Sequence, residues 1–598
     1  MSELKPLPPH LTGGNFLLTE ADPALVFTPE DLSAEQRQIA ESAEEFMTKE
    51  VLPRLDALER QEPDVAVRLF RQAGELGLLA IEVPEEYGGL GLGKTTACVV
   101  ENQLGRQGGF AVTCGAHTGI GSMPLTYFGT DAQKRAYLPK LASGEWMGAY
   151  ALSEPDAGSD ALSLRTKATR SADGTHYLLN GSKMWISNAG WADLFTLFAK
   201  VDGAHVTAFL VERAFPGVST GKEEHKLGIK SSSTRRVVLE DARVPVGNVL
   251  GQVGKGAYIA FNILNLGRLK LAAGVLGGAK AALAGAAQYA TERRQFGQPI
   301  AAFGLIQHKL AETATRICAA ESALFRVARQ IDDVVAGGEL LAAMQPPFPR
   351  GIDEFAIECS ILKVAGSETL DFAVDEALQI HGGYGYTEEF PAARAYRDAR
   401  INRIFEGTNE INRLFIPTML FRRAQRSRLP LLPAVAQVAK DALDLAPAQE
   451  TGDALRNAHA LLANAKKLAL FLAGTAWQKL GDKLIEEQEI LAALSDLLID
   501  LYLGESAVLR TFKARVTGGP ATVLTDLTLV FVNDSATRME HSARTLLAAV
   551  SSGDDLKAQL AITRRLLRWT PLDTVEMRRR IAQRLCAVGS YAALTAGK

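Results

Sequence analysis

The sequence predicts a mainly α protein: an N-terminal helical domain, a middle antiparallel β domain, a helical-bundle domain and an additional C-terminal helical domain. Three observations predict it. Apolar residues recur near helical spacing over 32–149 and again from residue 254 onward. Between them lie short segments rich in β-branched and aromatic residues, separated by Asn-Gly, Asp-Gly and Pro-Gly turns. A proline-rich stretch, RLPLLPA (428–434), then interrupts the helical pattern. The expected domains are 30–149, 150–253, 254–427 and 435–598, the order of runs giving α, β, α and a further α unit.

Each unit has its own signature. The first opens with Ser33-Ala-Glu-Gln36, a capping-box pattern ahead of a 3.6-residue apolar repeat. In the β domain HYLLNGSKMWISNAG, LFTLFAKV, VTAFLVER and TRRVVLEDARVPVGNVLG read as strands. The bundle domain consists of long helical patterns broken at QPPFPRG (345–351) and HGGYGY (381–386). The last domain is helical throughout and carries no chemical motif.

At 598 residues the chain can bury a large core. A net charge of −3, a pI near 6.4 and dispersed basic residues exclude an electrostatic nucleic-acid surface. Five cysteines (98, 114, 318, 359, 586), odd in number and far apart, fit buried thiols in a reducing compartment better than a disulfide framework. No HExxH pair or close Cys/His cluster suggests a metal. Residues 1–14 lack the apolar core of a signal peptide and the arginines of a transit peptide. The longest strongly apolar stretch noted, 468–477, is too short to span a bilayer.

GGLGLGKT (88–95) matches the phosphate-loop pattern GxxxxGK[ST]. A phosphate loop needs a strand feeding directly into it, whereas PEEY intervenes here within a helical region. A glycine-rich turn between helices is the better reading.

The richest chemical segment is YRDARINRIFEGTNEINR (396–413). It isolates one carboxylate, Glu406, behind Ile404 and Phe405 and ahead of Gly407-Thr408-Asn409. Apolar surroundings destabilise a charged carboxylate and raise its pKa toward the range of a general base. The adjoining glycine permits close approach of a ligand. An exposed carboxylate at a helix end remains the plainer alternative on spacing alone.

Five segments in register resolve that choice: YALSEPDAGSD (150–160), KMWISNAG (183–190), RRQFGQPIAAFGLIQHKLAE (293–312), LQIHGGYGYTEE (378–389) and RDARINRIFEGTNEINR (397–413). Together they resemble the acyl-CoA dehydrogenase family over roughly 35–425. The extra C-terminal domain is similar to that of the very-long-chain type. The resemblance implies FAD and the α,β-dehydrogenation of an acyl-CoA to a trans-2-enoyl-CoA in fatty-acid β-oxidation. Glu406 would remove the α proton while hydride passes to the flavin, and the electrons would go on to an electron-transferring flavoprotein.

By the same resemblance the cofactor lies against Tyr150, Leu152, Ser153, Gly158 and Ser159, with Trp185, Ile186 and Ser187 beside the flavin ring. Arg293, Gln295 and Phe296 would meet the pyrophosphate and adenine end of an FAD held by a neighbouring subunit. Gln379, Gly382 and Gly383 would line its adenosine part, with Thr408 and Glu410 following the base. Substrate contacts fall on Ser159, Asn265, Arg268 and Gly407. Ala111 and Gly115, small where medium-chain relatives carry Gln and Glu, would deepen the acyl tunnel. In relatives whose base sits on another helix, the matching position here is Gly267, which leaves Glu406 alone.

The resemblance further implies a homodimer. A cytoplasmic bacterial location, peripheral at the inner membrane, or a mitochondrial matrix one in a eukaryote, is expected. The apolar face Leu461, Ala465, Leu468 and Leu472, with Lys466, Lys467 and Lys479 nearby, is either a packed helix or a membrane-surface one. An acyl-CoA oxidase and a scaffold role on the same fold are the alternative functions.

Overall fold

The computed structural model describes residues 7–338, 340–341, 347–441 and 450–596. Residues 1–6 of the N-terminal segment and residues 345–346 of the QPPFPRG loop lie outside the described residues.

The N-terminal domain begins with helix α1 (Ala34–Phe46). Its capping box is formed as the sequence requires: Gln36 N–H donates to Ser33 Oγ (3.1 Å) and Ser33 N–H donates to Gln36 Oε1 (3.0 Å). Helices α2 (Lys94–Leu104) and α3 (Gly108–Gly115) follow. A π-helical turn, Ala116–Gly121, continues α3, and such turns widen a helix locally.

Strands β1 (Gly148–Ala151), β2 (Lys167–Arg170), β3 (His176–Ser187), β4 (Leu194–Val201), β5 (His205–Glu212), β6 (Val218–Glu223), β7 (Thr234–Pro245) and β8 (Val249–Leu250) make one sheet. Its order is β6-β7-β3-β2-β4-β5-β8, with β1 parallel to β4. The pairing is mainly antiparallel, with β2–β4 also parallel.

The bundle is built from α4 (Gly256–Glu292), α5 (Gly304–Ala336), α6 (Ala356–His381) and α7 (Asn409–Gln425). Helix α4 is long and apolar enough to cross a membrane, a property the sequence reading missed. Its apolar surface is mostly buried, packed on α2, α5 and α6. At Gly277 a Cβ would collide with the Asn102 carbonyl, so only glycine lets α4 lie this close to α2.

The C-terminal domain consists of α8 (Ala454–Leu480), α9 (Gln488–Thr517), α10 (Ala521–Val550) and shorter helices after them. The 428–434 segment packs on the bundle: Leu429 and Leu431 are buried, and Arg428 pairs with Asp353 (2.9 Å) and Glu354 (3.0 Å). Of the two readings of the face Leu461, Ala465, Leu468 and Leu472, the structure shows the packed helix, all four side chains being buried in the domain. Lys466 turns inward to Glu505 and the Thr19 carbonyl, the latter at 2.7 Å.

Residues 7–31 strap the C-terminal domain to the bundle. Arg423 donates to the Gly13 carbonyl (2.8 Å) and Lys513 to Asp31 (2.6 Å). Arg510, 1% exposed, pairs with Glu30 (2.6 Å) and Glu321 (2.9 Å). A buried cation removed from two carboxylates leaves uncompensated charge. Arg510→Met is therefore expected to lower unfolding stability by about 3–5 kcal/mol in chemical denaturation. A loss under about 1 kcal/mol, the range of an exposed pair, would contradict the strap's role.

Candidate active site

Glu406 sits in a turn between the 3₁₀ segment Arg400–Arg403 and α7. Its backbone is left-handed, φ +58°, and Gly407 follows at φ +79°. A non-glycine residue in this region is strained unless its surroundings fix it. Here every carbonyl of the turn is caught from below. Arg268 Nε donates to the Glu406 carbonyl (3.2 Å), and Lys363 Nζ donates to that of Gly407 (2.7 Å). Asn412 Nδ2 donates to the carbonyls of Gly407 (2.9 Å) and Thr408 (3.0 Å). Thr408 then caps α7, its Oγ1 accepting from Ile411 N–H (3.2 Å). Among the described residues no hydrogen bond leaves the Glu406 N–H, which remains a free donor beside the carboxylate.

The carboxylate itself is enclosed. Its Oε2 is buried with no hydrogen-bond partner. A Cβ at Gly267 would stand 2.5 Å from that oxygen, so glycine there is what makes room for the carboxylate. Burial raises the Glu406 pKa to about 7, against the opposing charges of Arg268 and Lys363. Lys363 is itself lowered to about 7, first by burial. Of the two apolar neighbours expected to enclose the base, Phe405 lines the cavity, but Ile404 is half-exposed on the surface.

The cavity Glu406 faces has a volume of about 790 Å³ including its open mouth. Ala111, Gly115, Ile120, Gly267, Leu271 and Phe405 form much of its wall. Ile120 comes from the π-helical turn, an element with no obvious sequence signal. Ile229, from the loop before β7, closes one side, its N–H held by the buried Asp398 carboxylate.

The β domain brings a second group of expected residues to the same place. Lys183 pairs with Val237 and Ile186 with Arg235, so β3 carries an extra residue against β7. Such a bulge re-aims a side chain. Trp185, φ +61°, is thrown outward and is 58% exposed, while Ser187 lines the cavity. Ile186 points the other way into the sheet core. The 152–160 loop is tied alongside: Met184 N–H donates to the Ser153 carbonyl (2.9 Å), and Lys183 Nζ to the Leu152 carbonyl (3.2 Å) and Glu154 (2.7 Å). Gly158 and Ser159 lie on its exposed edge.

Tyr150 is buried with an unpartnered hydroxyl, its pKa pushed well up by burial and by Glu406. An orphaned phenol that senses the Glu406 charge, and an outward indole two residues before the cavity-lining Ser187, fit a flat heterocycle such as the flavin ring beside the cavity.

Arg293, Gln295, Gly382 and Gly383 line a separate open cavity of about 880 Å³ with Tyr289 and His381. Gln379 is exposed on the same helix end, and Phe296 projects into solvent at 92% exposure. Glu410 is exposed on the first turn of α7. The structure thus divides the expected cofactor residues into two sets.

Asn265 and Arg268, expected as substrate contacts, do not line the cavity that Glu406 faces. Arg268 Nη1 donates to Asn265 Oδ1 (3.2 Å) and Ser360 Oγ (3.3 Å), and the guanidinium lies over Phe415. Arg268 thus supports the Glu406 turn from beneath, with Asn265 and Ser360 holding its guanidinium. Lys363 and Asn412, which do the same, escaped the sequence reading because isolated polar residues on helices resemble solvated ones.

The phosphate-loop pattern is structural. Lys94 is buried on Glu82 and on Tyr127 Oη (2.6 Å). Asp332 accepts from the amides of Lys94 (2.6 Å) and Thr95 (2.9 Å), capping α2.

Comparison with known proteins agrees with this geometry. The acyl-CoA dehydrogenase N-terminal, middle and C-terminal domain models match residues 33–145, 149–242 and 254–420, and a further acyl-CoA dehydrogenase C-terminal domain model matches 464–565. A probable acyl-CoA dehydrogenase of Bacillus subtilis is 45% identical over 97% of this chain and 98% of its own. The very long-chain specific acyl-CoA dehydrogenase of rat mitochondria is 44% identical over 60% of this chain and 53% of its own. An acyl-CoA dehydrogenase from Bacillus anthracis, crystallised with FAD, superposes with a TM-score of 0.94 at 48% identity, covering 97% of this chain and 99% of that one. The matches span all four units of the chain, the extra helical domain included, and the chain belongs to the acyl-CoA dehydrogenase family, FAD-dependent oxidoreductases.

Proposed function

We propose that this enzyme oxidises long- or very-long-chain acyl-CoA thioesters to trans-2-enoyl-CoA, with Glu406 as the base that takes the α proton. The carrying observation is the Glu406 carboxylate at the wall of a largely apolar cavity, its Oε2 buried without a hydrogen bond. A base so desolvated is poised near neutrality, where a proton taken from a weak carbon acid is best accommodated. The free Glu406 N–H is positioned to donate to the thioester oxygen as negative charge develops there. Arg268, Lys363 and Asn412 hold the turn by its carbonyls, so this donor and the carboxylate face the cavity together. FAD, when bound, takes up the two electrons released at the β carbon.

Trp185 and Ser187 would flank the flavin ring, and Tyr150 would meet it from the buried side. Arg293, Gln295, Gly382 and Gly383 would hold the adenosine end of the cofactor bound by a second subunit of a homodimer. Small side chains at Ala111 and Gly115 support a deep acyl cavity. Along α4 the lining runs from Gly267 to Val275, ~12 Å of helix. The EGTNEI continuation after the base supports an electron-transferring flavoprotein, rather than oxygen, as the acceptor.

Glu406→Gln is expected to retain FAD and acyl-CoA binding while anaerobic bleaching of the flavin slows by about 10³-fold or more. Bleaching at the normal rate would remove Glu406 from the reaction. Because the base works deprotonated, kcat/KM is expected to rise with pH through about 7 and to fall away below it. The Lys363 ammonium lowers the Glu406 pKa, so in Lys363→Met the acidic limb should move to higher pH. An unmoved or acid-shifted limb in a stopped-flow pH series would contradict that coupling.

A further inference from the structure

The apolar cavity has one charged wall. Glu101 on α2 and Lys270 on α4 both line it, and both are more than nine-tenths buried. Behind them lie Glu82 and Lys94: Lys270 and Lys94 each pair with Glu82, and Lys270 stands 3.8 Å from Glu101 Oε1. The four side chains balance, two cations against two anions. Thr118 Oγ1 donates to Glu101 Oε1 (3.1 Å), but among the described residues no hydrogen bond reaches Oε2. That oxygen lies toward Gly115 of the cavity wall, 3.3 Å from where a Cβ at 115 would stand. Lys270 has three ammonium donors and, among the described residues, these two carboxylates as its ion-pair partners. Neutralising Lys270 explains Oε1 of Glu101; it does not explain an oxygen left open on the acyl side.

A plain hydrocarbon filling the cavity would strip water from Glu101 Oε2 and leave it unpaired, at the cost of a buried unsatisfied acceptor. A hydroxyl would donate to Oε2 and accept from Lys270 at once. Glu101 and Lys270 present opposite charges side by side, so the group that bridges them is neutral. Resting on the reading of this cavity as the acyl site, we propose that Glu101 and Lys270 recognise a hydroxyl carried on the acyl chain, and that the enzyme's substrates are hydroxylated acyl-CoA thioesters. Lys270 lies one turn beyond Gly267, and Glu101 stands level with Gly274, where its carbonyl is 3.7 Å from a Cβ built there. The hydroxyl therefore falls about 5–10 Å along the cavity from Glu406.

The test is a position scan on the holoenzyme. Straight-chain acyl-CoAs of one length, unsubstituted or bearing a single hydroxyl moved carbon by carbon, are compared by kcat/KM. One hydroxyl position is expected to exceed the unsubstituted chain by about tenfold or more, the worth of one buried hydrogen bond. In Glu101→Leu that ratio should fall to near one, and Glu101→Gln, which keeps an acceptor oxygen, should restore part of it. If Glu101→Leu fails to fold, the double variant Glu101→Leu/Lys270→Met keeps the charge balance, and the wild-type scan decides regardless. Unsubstituted chains matching or exceeding every hydroxylated one in the wild type would overturn the proposal while leaving the acyl-CoA reading intact. Failure to turn over any acyl-CoA, butyryl-CoA included, would instead overturn the reading on which it rests.

Discussion

The active site depends on one constraint: a carboxylate must sit in an apolar enclosure without a hydrogen bond, on a backbone that disfavours it. Glu406 meets both conditions, buried at Oε2 and left-handed at φ +58°. Neither is stable in isolation. The turn is held by its carbonyls, through Arg268 from α4, Lys363 from α6 and Asn412 from α7. Those three helices must therefore be in register before the Glu406 turn is formed. Gly267 completes the arrangement by leaving unfilled the volume into which the carboxylate projects.

The remaining architecture brings walls to this point. The β3 bulge turns Trp185 out of the sheet and leaves Ser187 at the cavity, while buried Lys183 ties the 152–160 loop to the same strand. The widened π-helical turn after α3 supplies Ile120. Farther away, the N-terminal strap and Arg510 join the C-terminal domain to α5 of the bundle. Among the described residues none of that domain lines the cavity that Glu406 faces. Its α9 packs on α5 and α7 of the bundle.

Much of this was legible in the sequence because the signals were local. The Ser33 cap, the turn-bounded strands and the Glu406-Gly407 pair each follow from neighbours a few residues apart. What escaped was set by packing between distant segments. Asn265 and Arg268 look like ligand contacts on a helix face, and nothing in their spacing tells that Arg268 bonds both Asn265 and the Glu406 carbonyl. Lys94 has the sequence setting of a phosphate ligand, and only Glu82 and Asp332, far apart in sequence, show that its neighbourhood is already neutralised and capped. Leu461, Ala465, Leu468 and Leu472 form the same stripe whether they face lipid or protein, and the stripe alone does not say which. Glu101 and Lys270 meet across two helices, a juxtaposition no spacing rule reaches.

Proton removal by Glu406 is tested most directly when it is separated from electron transfer. An acyl-CoA analogue with sulfur in place of the β carbon has acidic α protons but no β hydride to lose. Deuterium uptake at its α carbon, followed by NMR on the FAD-loaded enzyme in D₂O, reports the base alone. Rapid uptake in the wild type, increasing with pH through about 7 and abolished in Glu406→Gln, is the expected result. Undiminished uptake in Glu406→Gln would contradict the assignment of Glu406 as the base.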